Sequence, residues 1–426
     1  MTKHDITTRE NLFPFILVTA LFFFWGIPGN LNDILIKQFM KSFELSRLQA
    51  GFVQSAFYMG YFLISIPAAI FMQKFSYKHG LVTGLLFFGI GTFLFYPAAL
   101  AGKFSFFLLA LFVIAIGLGF LETGANPFIA RLGDAESAER RLNFSQAFNP
   151  IGAVTGVLIG TLFILSGVEP KAEEIEAMKQ AGTYQQFLQN ETLRVVAPYM
   201  VLGTIVTIWA VLMIFTKFPV IEGEKNEVDG NHKYSFRELL KYPHFLKGVL
   251  AQFFYVGAQV GTWSYFIQYV QDYTHQPEKF AGGLLVGTLV AFGVGRFSAA
   301  WLMKFFNPNR MMGVYALVNI FLVSIGIILP GWVGLWAIFF TSFFMSVMFP
   351  TIFALAIKGL GHNTKIGSSL IVMGIIGGAV FTPIMGLVFE LTKSMAIAMS
   401  IPLLCYVFIG YYSFIGSKPK EILEVH

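Results

Sequence analysis

Apolar residues run through this chain in twelve long blocks, at 12–38, 47–73, 80–100, 104–131, 142–166, 196–217, 246–271, 280–303, 311–330, 332–357, 365–390 and 394–415. About 20 apolar residues suffice to cross a bilayer as a helix, and every block reaches that length. Several are longer, which predicts tilt, bending or extension beyond the hydrocarbon. Polar residues collect in the intervals, and two intervals are long. The first, 167–195, carries Glu173, Glu174 and Glu176 and predicts a short surface helix. The second, 218–245, divides the blocks six and six, so the expected organisation is a bundle at 1–217, a linker at 218–245 and a second bundle at 246–426. Inside the linker, Ser235 and Glu238 have the spacing of a capping box and predict a short helix ending before Pro243, lying on the membrane surface.

The two halves resemble each other. At one constant offset Phe22, Phe23, Gly26 and Ile36 fall on Phe253, Phe254, Gly257 and Ile267, while Ala50, Gly51, Met72 and Phe75 fall on Ala281, Gly282, Met303 and Phe306. At a slightly shorter offset Gly152, Ala153, Val154, Gly160 and Phe163 fall on Gly378, Ala379, Val380, Gly386 and Phe389. Apolar sequence matches itself by chance, but three pairs in order across a central linker predict two parallel repeats. The fold class is therefore an all-α membrane protein, with twelve transmembrane helices in two pseudo-symmetric six-helix bundles and a site near the bilayer midplane.

Composition narrows the function classes. The chain is 56% hydrophobic and 12% charged, against roughly 25% charged for soluble domains. A net charge of +6 without any dense Lys/Arg run excludes a nucleic-acid partner. If both termini are cytoplasmic, the inside intervals hold roughly twice as many Lys and Arg as the outside ones, which is the expected bias. The polar start and the long first block do not match a cleavable signal. The one cysteine, Cys405, excludes an intrachain disulfide and a cysteine metal cluster. No Walker A sequence and no HExxH pair occurs, and all seven His lie in loops, near span ends or at the tails. No cofactor or metal is expected.

Two carboxylates stand out against this background. A charge inside a spanning helix costs about 2.5–3.5 kcal/mol on insertion scales and usually faces a partner or a water path. Asp33 lies in GNLND at 29–33, sharing a helix face with Asn30. About 21 residues into its block, it should sit in the outer half, where it could take a proton from outside; the competing reading puts it at a helix end beside Lys37. Glu122 lies in FLETGANPF at 120–128, four residues from Asn126 and among Gly117, Gly119 and Gly124. It could hold a proton in one state and lose it when water enters, or serve as a structural carboxyl bonded to a neighbouring helix. Gln146 and Asn149 share a face in RRLNFSQAFNP, and Gln259 and Trp263 share one in GAQVGTWSY. Amides suit sugar hydroxyls, and aromatic faces suit sugar C–H surfaces, which also brings in Trp25. Polar groups equally act as glue between membrane helices. Arg296 should snorkel or anchor a loop. Gly152, Gly156 and Gly160, with Gly374 and Gly378, predict sliding or packing surfaces between the halves. FPTIF at 349–353 is the repeat counterpart of the Glu122 block but has no carboxylate, so ionisable chemistry concentrates in the first half.

GNLNDILIKQF, QSAFYMGYFLISIPAAI, GFLETGANPF, YVGAQVGTWSYF, FPTIFALAIKGLG and TKIGSSLIVMGIIGGAVFTPIMG together resemble the fucose–galactose–proton symporter branch of the major facilitator superfamily, from about residue 12 to 415. The resemblance implies the major facilitator fold in a monomer of the bacterial inner membrane. It implies that Asp33 and Glu122 match the carboxylates of proton coupling, Asn30, Gln146 and Asn149 match polar cavity residues, and Trp25 and Trp263 match tryptophans near the sugar path. Phe349 departs from the branch's fucose carrier, which has Tyr before this proline. The expected function is a secondary active importer of a monosaccharide, L-fucose first, by proton symport with alternating access. Glucose, galactose or amino-sugar transport, with sodium in place of the proton, stays open within the branch. A sugar sensor without net transport would need a signalling domain, which the short tails and modest linker do not provide. No nucleophile–base–orienter set supports an enzyme.

Overall fold

The computed structural model describes residues 10–133, 141, 144–219, 236–303, 305–360 and 364–418. It is helical throughout, with no strand among the described residues. In chain order the principal helices are α1 (Leu12–Ser42), α2 (Arg47–Lys74), α3 (Tyr77–Phe93), α4 (Phe104–Arg131), α5 (Phe148–Ile159), α6 (Val196–Phe215), α7 (Pro243–Ser264), α8 (Glu278–Leu302), α9 (Pro308–Ile328), α10 (Trp332–Met345), α11 (Gly377–Thr392) and α12 (Ser400–Tyr411). Shorter helical pieces extend α3, α5, α10 and α12 and precede α11.

Eleven of the described helical runs are long and apolar enough to cross a membrane. The predicted seventh block is not among them: α7 is long enough but less apolar, and it ends at Ser264, where Tyr265 leaves helical geometry and a separate helix runs Phe266–Thr274. The expected surface helix over Glu173, Glu174 and Glu176 is present as Ala172–Gln180. Its start is tied by Lys171 N–H donating to Glu174 Oε2 at 2.8 Å. Ser235, the expected cap in the linker, lies outside the described residues; a single turn at Phe236–Leu239 follows it.

The chain divides into two compact units. Unit 1 is Met1–Leu45, Ala56–Asn231 and Pro277–Gly282, and unit 2 is Ser46–Ser55, His232–Gln276 and Gly283–His426. Within unit 1, α1 packs on α5, and α3 packs on both α4 and α6. Within unit 2 the equivalent pairs recur, with α7 on α11 and α9 on α10 and α12. The glycine stripes explain the first pairing of each set. A Cβ at Gly152 would collide with the Phe23 carbonyl of α1, and one at Gly377 would collide with the Phe253 carbonyl of α7. Backbones touch at these points, which only glycine allows. The glycines therefore pack helices within each unit, and the expected surface between the halves is corrected on that ground.

Ion pairs, buried or half-buried, add to apolar packing. In unit 1, Lys41 near the end of α1 donates to both oxygens of Glu278, at 2.8 and 3.0 Å, and lies 3.1 Å from Glu191 Oε2. Glu278 also accepts from Gly167 N–H at 2.7 Å, and Gln38 Nε2 donates to Glu191 at 3.1 Å. In unit 2, Arg47 forms a two-point pair with Asp272, at 2.6 and 2.7 Å, and lies over the Phe389 ring at 3.7 Å.

Candidate functional site

The polar residues of unit 1 sit where its helices are locally loosened. Pro28 in α1 and Pro127 in α4 have no N–H to return to the preceding turn. Around Pro28 stand Trp25, Asn30 and Asp33; around Pro127 stand Glu122 and Asn126. Asp33 is buried, nine residues before the end of α1, so the expected position at a helix end beside Lys37 does not hold. Lys37 instead pairs with Glu169 at 2.8 Å. Glu122 is half-buried, and its carboxylate accepts no hydrogen bond among the described residues. The phenol of Tyr61, on α2, is close enough to interact with it electrostatically.

Two amides join the α4 side. Asn126 Nδ2 donates to the Glu122 carbonyl at 3.1 Å, and Asn126 Oδ1 accepts from Gln146 Nε2 at 3.1 Å. Gln146, exposed just before α5, thereby fixes the Asn126 amide, whose helix turn also carries Glu122. Two other amides join the α1 side. Asn30 Nδ2 donates to the Gly26 carbonyl at 3.1 Å, and Asn149 Nδ2 reaches the Phe22 carbonyl at 3.3 Å. The Asn149 backbone meets α1 at Gly26, where a side chain would collide with it. Trp25 stacks on Phe22 with centroids 5.0 Å apart. In all three backbone-tied amides the donor end is engaged; the Asn126 oxygen is shared with Gln146, whereas Asn30 and Asn149 keep their oxygens as acceptors. The carboxylates extend that acceptor character, which matches hydroxyl groups or a bound proton.

Unit 2 holds the other three predicted residues. Trp263 is buried, donates its indole N–H to Ser342 Oγ at 3.0 Å, and meets Phe292 edge-on at 5.3 Å. Gln259, one turn earlier on α7, is half-buried with no hydrogen bond among the described residues. Phe349, just beyond α10, is half-buried and packs edge-on against Tyr255 at 6.1 Å. Arg296 is exposed, lies over Phe292 at 4.9 Å and reaches the Ser346 carbonyl at 3.5 Å, consistent with anchoring.

Sequence reasoning missed several polar contacts. Thr19 Oγ1 and Ser145 Oγ meet at 2.8 Å, buried, on the same two segments that carry Trp25 and Gln146. Ser342, which holds the Trp263 indole, gave no signal because a lone serine in an apolar run has no motif. Tyr61 could have been found from its place in QSAFYMGYF, a tyrosine deep inside a spanning block. Among the described residues no group of three or more His, Cys, Asp or Glu could hold a metal ion.

Residues 15–382 match the family model described as Major Facilitator Superfamily. The L-fucose-proton symporter of Escherichia coli strain K12 is 43% identical over 409 residues, which cover 95% of this chain and 93% of that protein. The glucose/galactose transporter of Brucella abortus biovar 1 (strain 9-941) is 32% identical over 427 residues, covering 97% of each. Among solved structures, a crystal structure of the Escherichia coli fucose:proton symporter superposes with a TM-score of 0.70 at 42% identity, covering 96% of this chain and 100% of that one.

Proposed function

The chain belongs to the Major Facilitator Superfamily, and we propose that it imports a monosaccharide, L-fucose before other sugars, by symport with a proton. It is a multi-pass membrane transporter and not an enzyme. The reading rests on one observation above the rest: near-full-length similarity to an L-fucose-proton symporter, in a chain whose first unit holds two carboxylates inside spanning helices.

In this mechanism Asp33 loads the proton from the outer side, and Glu122 responds to sugar and to proton release on the inner side. Asn30, Gln146 and Asn149 receive sugar hydroxyls on their oxygens, and Asn126, its oxygen shared with Gln146, is held in place beside them. Trp25 offers an apolar face to the sugar ring. Gln259, Trp263 and Phe349 are the second unit's contributions to sugar binding in this reading. Sugar and proton each shift a two-state equilibrium only through unequal affinity for its two states, so both must favour the same crossing. The functional domains are 1–217 and 246–426, joined by the 218–245 linker. The protein works as a monomer in the bacterial inner membrane with both termini in the cytoplasm.

Phe349 and the similarity to a glucose/galactose transporter favour one second reading, in which the preferred sugar is a hexose other than L-fucose. Uptake into proteoliposomes with a panel of hexoses and 6-deoxyhexoses tests both. Accumulation of L-fucose under an imposed pH gradient, and none under a sodium gradient alone, is the expected result. Sodium-driven accumulation would overturn proton coupling, and preferential uptake of glucose or galactose would overturn the sugar assignment.

A further inference from the structure

The two repeats differ at the loop that enters their third helix. In the first repeat Lys78, in the opening turn of α3, donates to the Ile214 and Thr216 carbonyls at 2.8 and 2.9 Å and so caps the end of α6. Its neighbour His79 is tied locally, with Nδ1 2.7 Å from Ser76 Oγ. With Phe75 set on Phe306, Lys78 and His79 fall on Asn309 and Arg310. Asn309 is likewise tied to the segment after the last helix of its unit, its Nδ2 donating at 3.1 Å to Ser417 Oγ. Arg310 does not repeat the local tie. It is exposed, and its guanidinium has no hydrogen bond or ion pair among the described residues.

The surroundings of Arg310 suit a lipid. It borders a hollow of about 310 Å³ lined also by Phe305, Phe306, Asn307, Met311 and Val314. Phe305 and Phe306 are exposed, and Trp301 meets Phe305 edge-on at 5.1 Å. Such aromatic clusters sit at the level of lipid headgroups. From Arg310 one face of α9 continues through Val314, Leu317, Phe321 and Ile328, all exposed, at helical spacing. The helix has 21 residues, which gives roughly 30 Å, the thickness of the hydrocarbon layer. One straight line on the surface thus carries an uncompensated cation, an aromatic-rimmed hollow and an apolar stripe that spans the bilayer.

We propose that this surface is a binding site for an anionic phospholipid. The phosphodiester lies on Arg310, the glycerol region fills the hollow beside Phe305 and Phe306, and an acyl chain follows the stripe on α9. The charge chooses the lipid: an unpaired guanidinium attracts a net negative headgroup and can donate two parallel hydrogen bonds to its phosphate oxygens. A basic residue at an anionic bilayer surface contributes about 1 kcal/mol, or roughly fivefold in affinity.

Native mass spectrometry of the full-length protein, given equal amounts of dioleoyl phosphatidylglycerol and dioleoyl phosphatidylcholine in detergent, tests this. The protein should retain phosphatidylglycerol preferentially. Arg310→Gln should lower that retention about fivefold, to the level of phosphatidylcholine, while Arg310→Lys keeps most of it. Inorganic phosphate at millimolar concentration should leave the lipid in place, since the acyl chain contributes to binding. Equal retention by the protein and Arg310→Gln would overturn the proposal. So would complete displacement by inorganic phosphate, which would reduce the site to one for a free anion.

Discussion

Lys41→Met should destabilise the protein more than Glu278→Gln, although both substitutions remove the same ion pair. The asymmetry follows from what each leaves behind. The Lys41 ammonium stands between two carboxylates, Glu278 and Glu191, whose side chains are 0% and 6% exposed. Removing it leaves two buried acids together without a cation, with Glu278 keeping chiefly the Gly167 N–H. Breaking a buried pair in this way costs about 3–5 kcal/mol. Glu278→Gln leaves Lys41 with Glu191 at 3.1 Å, Ser166 Oγ at 2.9 Å and the Val168 carbonyl at 3.1 Å. Its loss is one charged hydrogen-bonding partner, about 1.5–3 kcal/mol. In the double variant the unpaired Glu278 charge is gone, and Glu191 retains Gln38. The double variant should therefore lose about 2 kcal/mol less than the sum of the single losses. Titration with a denaturing detergent, followed by far-ultraviolet circular dichroism, measures all four proteins. A Glu278→Gln loss equal to or larger than that of Lys41→Met, or additive losses in the double variant, would refute the reasoning.

Gly152→Ala should cost about 1–3 kcal/mol by driving α5 off the Phe23 carbonyl, less up to ~1 kcal/mol of better helix propensity. Gly283→Ala, where a Cβ meets nothing within 4 Å, should be neutral or stabilising by up to ~1 kcal/mol in the same titration. Gln146→Leu should raise the KM for sugar several-fold, because Asn126 loses its tie, while thermal stability stays unchanged at this exposed position. Phe349→Tyr restores a hydroxyl and should raise L-fucose uptake relative to glucose and galactose; an unchanged ranking in a competition assay would remove Phe349 from specificity.

The spanning pattern is legible because lipid leaves little choice: a long apolar run must satisfy its own backbone, and only a helix does so here. The glycine stripes are legible for a related reason, since close helix approach favours glycine at Gly152 and Gly374 whatever surrounds them. What those glycines approach is not written in their spacing. The stripe says that a backbone comes near, and only the fold says that it is α1 or α7 of the same unit. The break at Tyr265 is hidden similarly, because the chain carries no proline or glycine at the break itself. Pairs on one helix, such as Asn30 with Asp33 or Glu122 with Asn126, follow from period alone. Pairs across helices, such as Gln146 with Asn126 or Trp263 with Ser342, depend on helix rotation, which hydropathy does not encode. That Asp33 lies inside α1 rather than at a helix end emerges only from the helix running on to Ser42.

The role assigned to Asp33 is open to one direct measurement: L-fucose accumulation in proteoliposomes under an inward pH gradient of one unit. Such a gradient supplies about 1.4 kcal/mol per proton, enough for roughly tenfold accumulation with one proton per sugar. The unmodified protein should approach that ratio, and Asp33→Asn should let the sugar equilibrate at a ratio of about one. Uphill accumulation by Asp33→Asn comparable to the unmodified protein would contradict the account.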